Sequence, residues 1–281
     1  MALIEMNFFS NSLKRTVTVN VVIPTDKRTF LGEKPREKEY PVLYLLHGIF
    51  GNYTDWVCGT TLMKLADAYD LCVVTPSGDN KFYCDSTKSG DLYGTFIAEE
   101  LPQIIEATFP VSKKREDTFL AGLSMGGFGA CVNGLRHPEK FGYLGLFSAG
   151  INKEGILNST NDPGQIFCTR KMYETMFDLD DIKDYDGSVN DPEFLAENNV
   201  KKGLQLPKIW MACGTEDFLV TPNDKFAALL EKLGYDLTYL KWSGGHDWVF
   251  REECINKFIP WLPLKKETAG ISSGHVRQDE E

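Results

Sequence analysis

Apolar and polar residues along this chain alternate between two regimes. Thr16-Val17-Thr18-Val19-Asn20-Val21-Val22-Ile23 is strongly β-prone and is stopped by Pro24; with residues 4–9 it predicts an antiparallel ribbon that opens a sheet. The runs Pro41–Leu46, Leu71–Thr75, Thr118–Gly122 and Leu206–Cys213 are nearly continuous in apolar residues, as expected for parallel strands covered on both faces. Phe141–Ser148 and Leu237–Trp242 complete the strand set. Helical patterns fill the intervals at Thr61–Tyr69, Phe96–Phe109, the stretch from Met125 to Arg136, Thr221–Leu233 and Trp248–Ile259. Thr221 is placed as an N-cap there, with Pro222 at the first helical position. Strands alternating with helices predict an α/β fold with a mostly parallel central sheet and helices on both faces. In such sheets, sites gather at the carboxyl ends of the strands.

Three stretches break the alternation. Residues 25–40 form a polar connector, and 77–94, holding Phe82, Tyr83, Asp85 and Tyr93, is too long for a simple connection. From 149 to 205 the character shifts to Asn, Asp and Gly, with short helical pieces near 170–177 and 192–199. No independent core is evident, so this stretch reads as a cap-like insertion over the site. The expectation is one domain over 1–264 and a polar, disordered tail over 265–281.

Composition narrows the partners. A formal net charge of −10 without a basic tract argues against nucleic acid. No run reaches the roughly 18 apolar residues that span a membrane, and the first residues lack an export pattern. The seven cysteines are odd in number and lack CxxC spacing, which suits a reducing cytoplasm. A homo-oligomer stays open.

The chemistry centres on Gly122-Leu123-Ser124-Met125-Gly126, set between an apolar strand and a helix. This is the nucleophile-elbow pattern: the turn that lifts the serine hydroxyl clear of the sheet brings the residues two before and two after it too close for side chains. The Met125 amide is left at a helix N-terminus, free to donate to an oxyanion. A serine needs a base, and the chain has four histidines. His275 lies in the tail, His137 ends a helix before Pro138, and His47 precedes Ser124, against the Ser…Asp…His order. His246, in a glycine-rich loop after the last strand, remains. The acid falls in Cys213-Gly214-Thr215-Glu216-Asp217-Phe218, where Glu216 and Asp217 both qualify. The second oxyanion donor is expected from the loop after the first central strand, at the Ile49 amide, with His47 bracing that loop.

Leu45-Leu46-His47-Gly48-Ile49-Phe50-Gly51-Asn52, Asp55-Trp56, Gly122-Leu123-Ser124-Met125-Gly126-Gly127, Cys213–Phe218 and Gly245-His246-Asp247-Trp248 together resemble the tributyrin-esterase branch of the esterase D superfamily, over about residues 3–262. That superfamily includes S-formylglutathione hydrolases and feruloyl esterases. The resemblance implies an α/β-hydrolase fold and hydrolysis of short-chain acyl esters without a cofactor or metal. It implies Ser124 as nucleophile, His246 as base, Asp217 as the orienting acid, and the Ile49 and Met125 amides as the oxyanion hole. S-formylglutathione hydrolases usually carry a Ser-Gly-Leu-Thr-Cys-like sequence where this chain has His47–Gly51. Phe50, Trp56, Tyr83 and Trp248 sit on loops expected near Ser124 and are candidates for the substrate pocket. Asp184, Asp186, Gly187, Asn190 and Glu193 fit positions of a calcium loop, but Ile182 at its first position and Pro192 at the outgoing helix favour a plain acidic loop.

Overall fold

A computed structural model describes residues 1–26, 39–162, 164 and 167–266. Most of the polar connector (27–38) and the tail from 267 onward lie outside the described residues. The strands are β1 (Ala2–Ser10), β2 (Arg15–Ile23), β3 (Val42–Leu46), β4 (Cys72–Pro76), β5 (Thr118–Leu123), β6 (Tyr143–Phe147), β7 (Lys208–Gly214) and β8 (Leu237–Trp242). They form one sheet in the order β1-β2-β4-β3-β5-β6-β7-β8. β1 pairs antiparallel with β2, and β2 antiparallel with β4; the other pairings of this sheet are parallel, and Asp85–Ser86 pairs antiparallel with Asp91–Leu92 in a separate small hairpin. The opening ribbon and the α/β class therefore stand as the sequence predicts.

Side-chain alternation divides the strands between two cores. Val42, Tyr44 and Leu46 of β3 face a cluster shared with Phe128 and Leu135 of the helix Met125–Arg136 and with Leu101 and Ile105 of the helix Leu101–Thr108. Leu43 and Leu45 face the other cluster, with Leu62 and Ala66 of the helix Leu62–Ala68 and Phe250, Ile255 and Phe258 of the helix Trp248–Trp261. Helices on both faces explain why these strands read as unbroken apolar runs. Every residue of β3 and β4 is buried.

Two helix starts differ from expectation. The turn at Phe96–Glu100 is a π-helix leading into Leu101–Thr108. Pro102 supplies no N–H to the carbonyl four residues back, so a wider turn absorbs it. Near Thr221, the helix runs Val220–Lys232 with Leu219 as its N-cap and no side-chain cap. The carboxylate of Asp217 accepts from the Leu219 amide at 2.9 Å and the Val220 amide donates to the Asp217 carbonyl at 3.0 Å, so the chain enters the helix directly from the acidic turn. Between β6 and β7 lie the short helices Lys153–Leu157 and Arg170–Met176, a 3-10 turn at Ile182–Tyr185 and the helix Pro192–Lys201, capped by Asp191. Among the described residues, no helix is long and apolar enough to cross a membrane.

Phe147 joins the layers of the second core, making edge contacts with Trp56, Trp210 and Phe258 at centroid separations of 6.0, 5.5 and 5.3 Å. Phe147→Ala should leave a cavity there and cost about 3–5 kcal/mol. Urea unfolding of the variant beside wild type measures the loss; a cost below about 1 kcal/mol would contradict this packing.

Candidate active site

Ser124 follows β5 and immediately precedes the helix Met125–Arg136, with φ 53° and ψ −117°. This lies outside the ordinary regions for a residue with a side chain. The backbone holds it there by three bonds. The Ser124 amide donates to Phe147 O at 2.9 Å, and its carbonyl accepts from Phe128 N at 3.0 Å and Gly150 N at 2.8 Å. The two flanking glycines are steric requirements. A Cβ on Gly122 would stand 2.4 Å from the carbonyl carbon of Gly126, and one on Gly126 would stand 2.4 Å from Leu46 O.

His246 and Asp217 converge on this turn from the loops after β8 and β7. His246 Nε2 lies 3.0 Å from Ser124 Oγ, and His246 Nδ1 lies 2.8 Å from Asp217 Oδ2. With the carboxylate accepting from Nδ1–H, Nε2 is free to accept the serine proton. The Asp217 side chain is fully buried. Burial alone would raise its pKa, but the hydrogen bonds from His246 and the Leu219 amide, helped by the nearby Ser148 hydroxyl, hold it below the ordinary carboxylate value. Glu216, the other acid at this loop, is spent elsewhere: it accepts from Gly244 N at 2.5 Å and Thr215 Oγ1 at 2.8 Å, tying the two loops together.

Ile49 and Met125 line the same cavity as Ser124, a space of about 460 Å³. Met125 is the first residue of its helix, where an amide has no intrahelical acceptor. His47, fully buried at the end of β3, sets the geometry before Ile49. The Gly78 amide donates to His47 Nε2 at 2.8 Å, so Nδ1 carries the proton and donates to Gly48 O at 2.6 Å. With the Gly48 carbonyl turned to the imidazole, the planar trans peptide aims the Ile49 N–H the opposite way.

The four aromatic candidates fall outside this cavity. Trp56 is buried in the second core and donates its indole N–H to Leu46 O at 3.0 Å; Trp248 packs edge-on against it. Tyr83 is buried, with its hydroxyl donating to His47 O at 3.0 Å and its ring against Gly129. Phe50 is 70% exposed. The aromatic lining comes instead from Phe82, Phe167, Tyr173 and Phe218, with Ile156 and Cys168 beside them. Phe218 lies 4.8 Å from the His246 ring and stacks on Phe167 at 5.6 Å. A sequence signal existed for Phe218, which adjoins Asp217, whereas nothing in the pattern of 149–205 singles out Tyr173 or Phe167. In the acidic loop the carboxylates already have a cation, the ammonium of Lys153, paired with Asp186, with Asp191 at 2.8 Å and with Glu193 at 3.4 Å. Among the described residues, no group of His, Cys, Asp and Glu could hold a metal ion.

With this geometry established, comparison with known proteins gives a consistent result. The family model "Esterase: Putative esterase" matches residues 10–257. An acetyl esterase from Caldicellulosiruptor saccharolyticus is 36% identical over 264 residues, covering 93% of this chain and 98% of that protein. The chain belongs to this esterase family. Among solved structures, the esterase superposes on the fluorophosphonate-binding serine hydrolase FphF of Staphylococcus aureus with a TM-score of 0.80, at 27% identity, covering 93% of this chain and 98% of that one. The S-formylglutathione hydrolase FrmB of the same organism gives a TM-score of 0.80 at 26% identity, with the same coverage. The esterase is thus an α/β hydrolase of the esterase D, FrmB and feruloyl esterase superfamily, and a serine carboxylesterase.

Burial lowers the His47 pKa below its ordinary value, against the raising effects of the Gly48 hydrogen bond and of Asp55 and Asp79. A group depressed in the folded state contributes stability that is full above its unfolded pKa, about 6.5 for histidine, and is lost as pH falls toward the folded value. The esterase should therefore lose stability from pH 7.5 to pH 5 more steeply than His47→Gln. Urea midpoints across that range test it; parallel slopes would exclude a neutral, buried imidazole at this position.

Proposed function

We propose that the esterase hydrolyses short-chain acyl esters, acetyl to butyryl, through an acyl-enzyme on Ser124. The observation that carries this reading is the chain of contacts from Ser124 Oγ to His246 Nε2 at 3.0 Å and from His246 Nδ1 to Asp217 at 2.8 Å. Ser124 attacks the ester carbonyl while His246 takes its proton, and Asp217 holds the imidazole in the required tautomer. The Ile49 and Met125 amides stabilise the oxyanion of the tetrahedral intermediate. His246 returns the proton to the departing alcohol, then activates a water that releases the acid. Only the ester, water and side chains of this chain enter the balance, so no cofactor is involved.

The preference for small acyl groups is supported by the acetyl esterase that the chain resembles over most of its length. The apolar wall formed by Ile156, Phe82, Cys168 and Tyr173 suits the acyl side, and the segment between β6 and β7 serves as a cap that sets its depth. A cavity of about 460 Å³ is also large enough for a phenolic acid, which supports a feruloyl-type ester as the second reading. Thioester hydrolysis on S-formylglutathione is the other alternative within the superfamily. We place the esterase in the cytoplasm, a reading supported by its unpaired cysteines, six of them buried.

A panel of p-nitrophenyl esters from acetyl to octanoyl, with methyl ferulate and S-formylglutathione beside it, tests the proposal. Turnover should peak between acetyl and butyryl, and Ser124→Ala should lower kcat by at least about 10⁴-fold while substrate binding persists. A fluorophosphonate should label Ser124 in the wild type and fail in His246→Ala. Equal turnover by Ser124→Ala would overturn the assignment, and a preference for the ferulate or the thioester would move the substrate class.

A further inference from the structure

The loop after β4 is built to hold the oxyanion loop from outside the catalytic triad. Four hydrogen bonds join residues 77–83 to residues 47–53. Gly78 N donates to His47 Nε2 at 2.8 Å, Tyr83 Oη to His47 O at 3.0 Å, Tyr53 N to Ser77 Oγ at 3.1 Å, and Phe50 N to Asn80 Oδ1 at 2.7 Å. The last of these is the shortest, and it is made by a side chain that no step of the proposed mechanism uses.

Its position matters because Ile49 has two peptide planes. The plane before it contains the Ile49 N–H and is fixed by His47 through Gly48 O. The plane after it contains the Phe50 N–H, and Asn80 fixes that one. A trans peptide is rigid, so pinning both planes leaves the backbone at Ile49 no free rotation. Phe50 itself stands at φ 68°, a conformation unfavourable for a phenylalanine whose ring is 70% exposed and makes little packing to hold it. Besides the Asn80 contact, only the weaker turn bond from Gly51 N to Gly48 O at 3.2 Å restrains the Phe50 peptide, so losing the Asn80 acceptor would loosen one side of the Ile49 backbone.

The supporting loop is itself strained and anchored. Asp79, Asn80, Phe82 and Tyr83 all have positive φ, at 43°, 55°, 53° and 57°. Arg15 holds Asp79 at 2.9 Å, and Asn133, on the helix that follows Ser124, donates to Tyr83 O at 2.9 Å. Strain of this kind persists only where surrounding contacts over-determine it, and it concentrates at functional sites. Asparagine is among the few residues other than glycine that tolerate a left-handed backbone while offering a side-chain acceptor. Both properties are required at this position.

We infer that Asn80 is a positioning residue for the oxyanion hole, acting through the Phe50 amide to hold the Ile49 N–H toward the carbonyl oxygen of the reacting ester. This rests on the serine esterase mechanism with Ile49 as an oxyanion donor. Loss of a donor outright costs about 10²–10³ in kcat, so loss of its alignment should cost less.

The test compares Asn80→Gly, which keeps the backbone conformation and removes the acceptor, with Asn80→Asp, which keeps an acceptor oxygen at the same reach. With p-nitrophenyl acetate, Asn80→Gly should lower kcat about 10–100-fold with KM changed by less than about threefold. Its affinity for an alkylboronic acid, which forms a tetrahedral adduct on the serine, should fall in parallel. Asn80→Asp should recover most of the lost kcat. Should the glycine variant not fold, Asn80→Ala replaces it in the same comparison. Wild-type kcat in Asn80→Gly, a loss confined to KM, or an aspartate variant no better than the glycine one would each overturn the inference. Failure of the underlying mechanism is a separate result: wild-type protein would then show no turnover that depends on Ser124 and no fluorophosphonate label.

Discussion

The backbone conformation of one residue governs the rest of the site. A serine at φ 53° and ψ −117° between a strand and a helix forces that helix back across the sheet at contact distance. The crossing is so close that Gly126 lies against the carbonyls of Leu46 and His47, and Gly127 against Ala149. Two consequences follow from the same close approach. The start of the helix, with its unsatisfied amides, is delivered to the serine, and the end of β3, with the loop that carries Ile49, is packed beside it. The proposed nucleophile and the two expected oxyanion donors are thus products of one steric arrangement rather than three independently placed features.

Parallel pairing supplies the remainder. β3, β5, β6, β7 and β8 all run the same way, so their following loops share one rim of the sheet. The loops after β7 and β8 are pressed together so tightly that a Cβ on Gly214 would stand 2.0 Å from Gly244 O, and Glu216 fastens them by bonding across the gap. That fastening is what brings Asp217 and His246 within 2.8 Å of one another although they are 29 positions apart in the chain. Chemistry and selectivity are then divided by origin. Ser124, His246 and Asp217 stand on the sheet rim, whereas much of the cavity wall comes from the segment between β6 and β7, which adds no strand to the sheet.

The parts of this arrangement that were legible in the sequence are those fixed by short-range sterics or by burial. Unbroken apolar runs announced strands covered on both faces, and glycines two before and two after Ser124 announced the strained turn. His246 could be found by elimination because only four histidines exist. Side-chain direction in the loops was not legible. Tyr83 and Phe82 are adjacent, yet Phe82 lines the cavity and Tyr83 supports His47 from behind. Trp56 and Trp248 follow functional loops by a few residues but turn into the second core, where burying an indole outweighs display at a pocket mouth. The helix start at Val220 is not carried by a local capping pattern at Thr221, because its turn is closed by Asp217, which the long-range contact with His246 holds in place.

The left-handed residues tie these observations together. Phe50, Asp79, Asn80, Phe82, Tyr83, Ser124 and Ser148 are all non-glycine residues with positive φ, and all lie on loops that enclose or support the cavity. Each such conformation costs on the order of 1–3 kcal/mol, and although Lys14, Asp70 and Asp178 show it elsewhere, most of these residues gather here. What offsets it is a base that cannot relax: the paired tryptophans and Phe147 beneath, the Arg15 pairing at the loop after β4, and the close-packed glycines of the crossing helix. A hydrolase that stabilises an oxyanion with fixed backbone dipoles gains only if those dipoles do not reorient as charge develops. The contacts that hold these backbone positions in place therefore serve the chemistry as well as the fold.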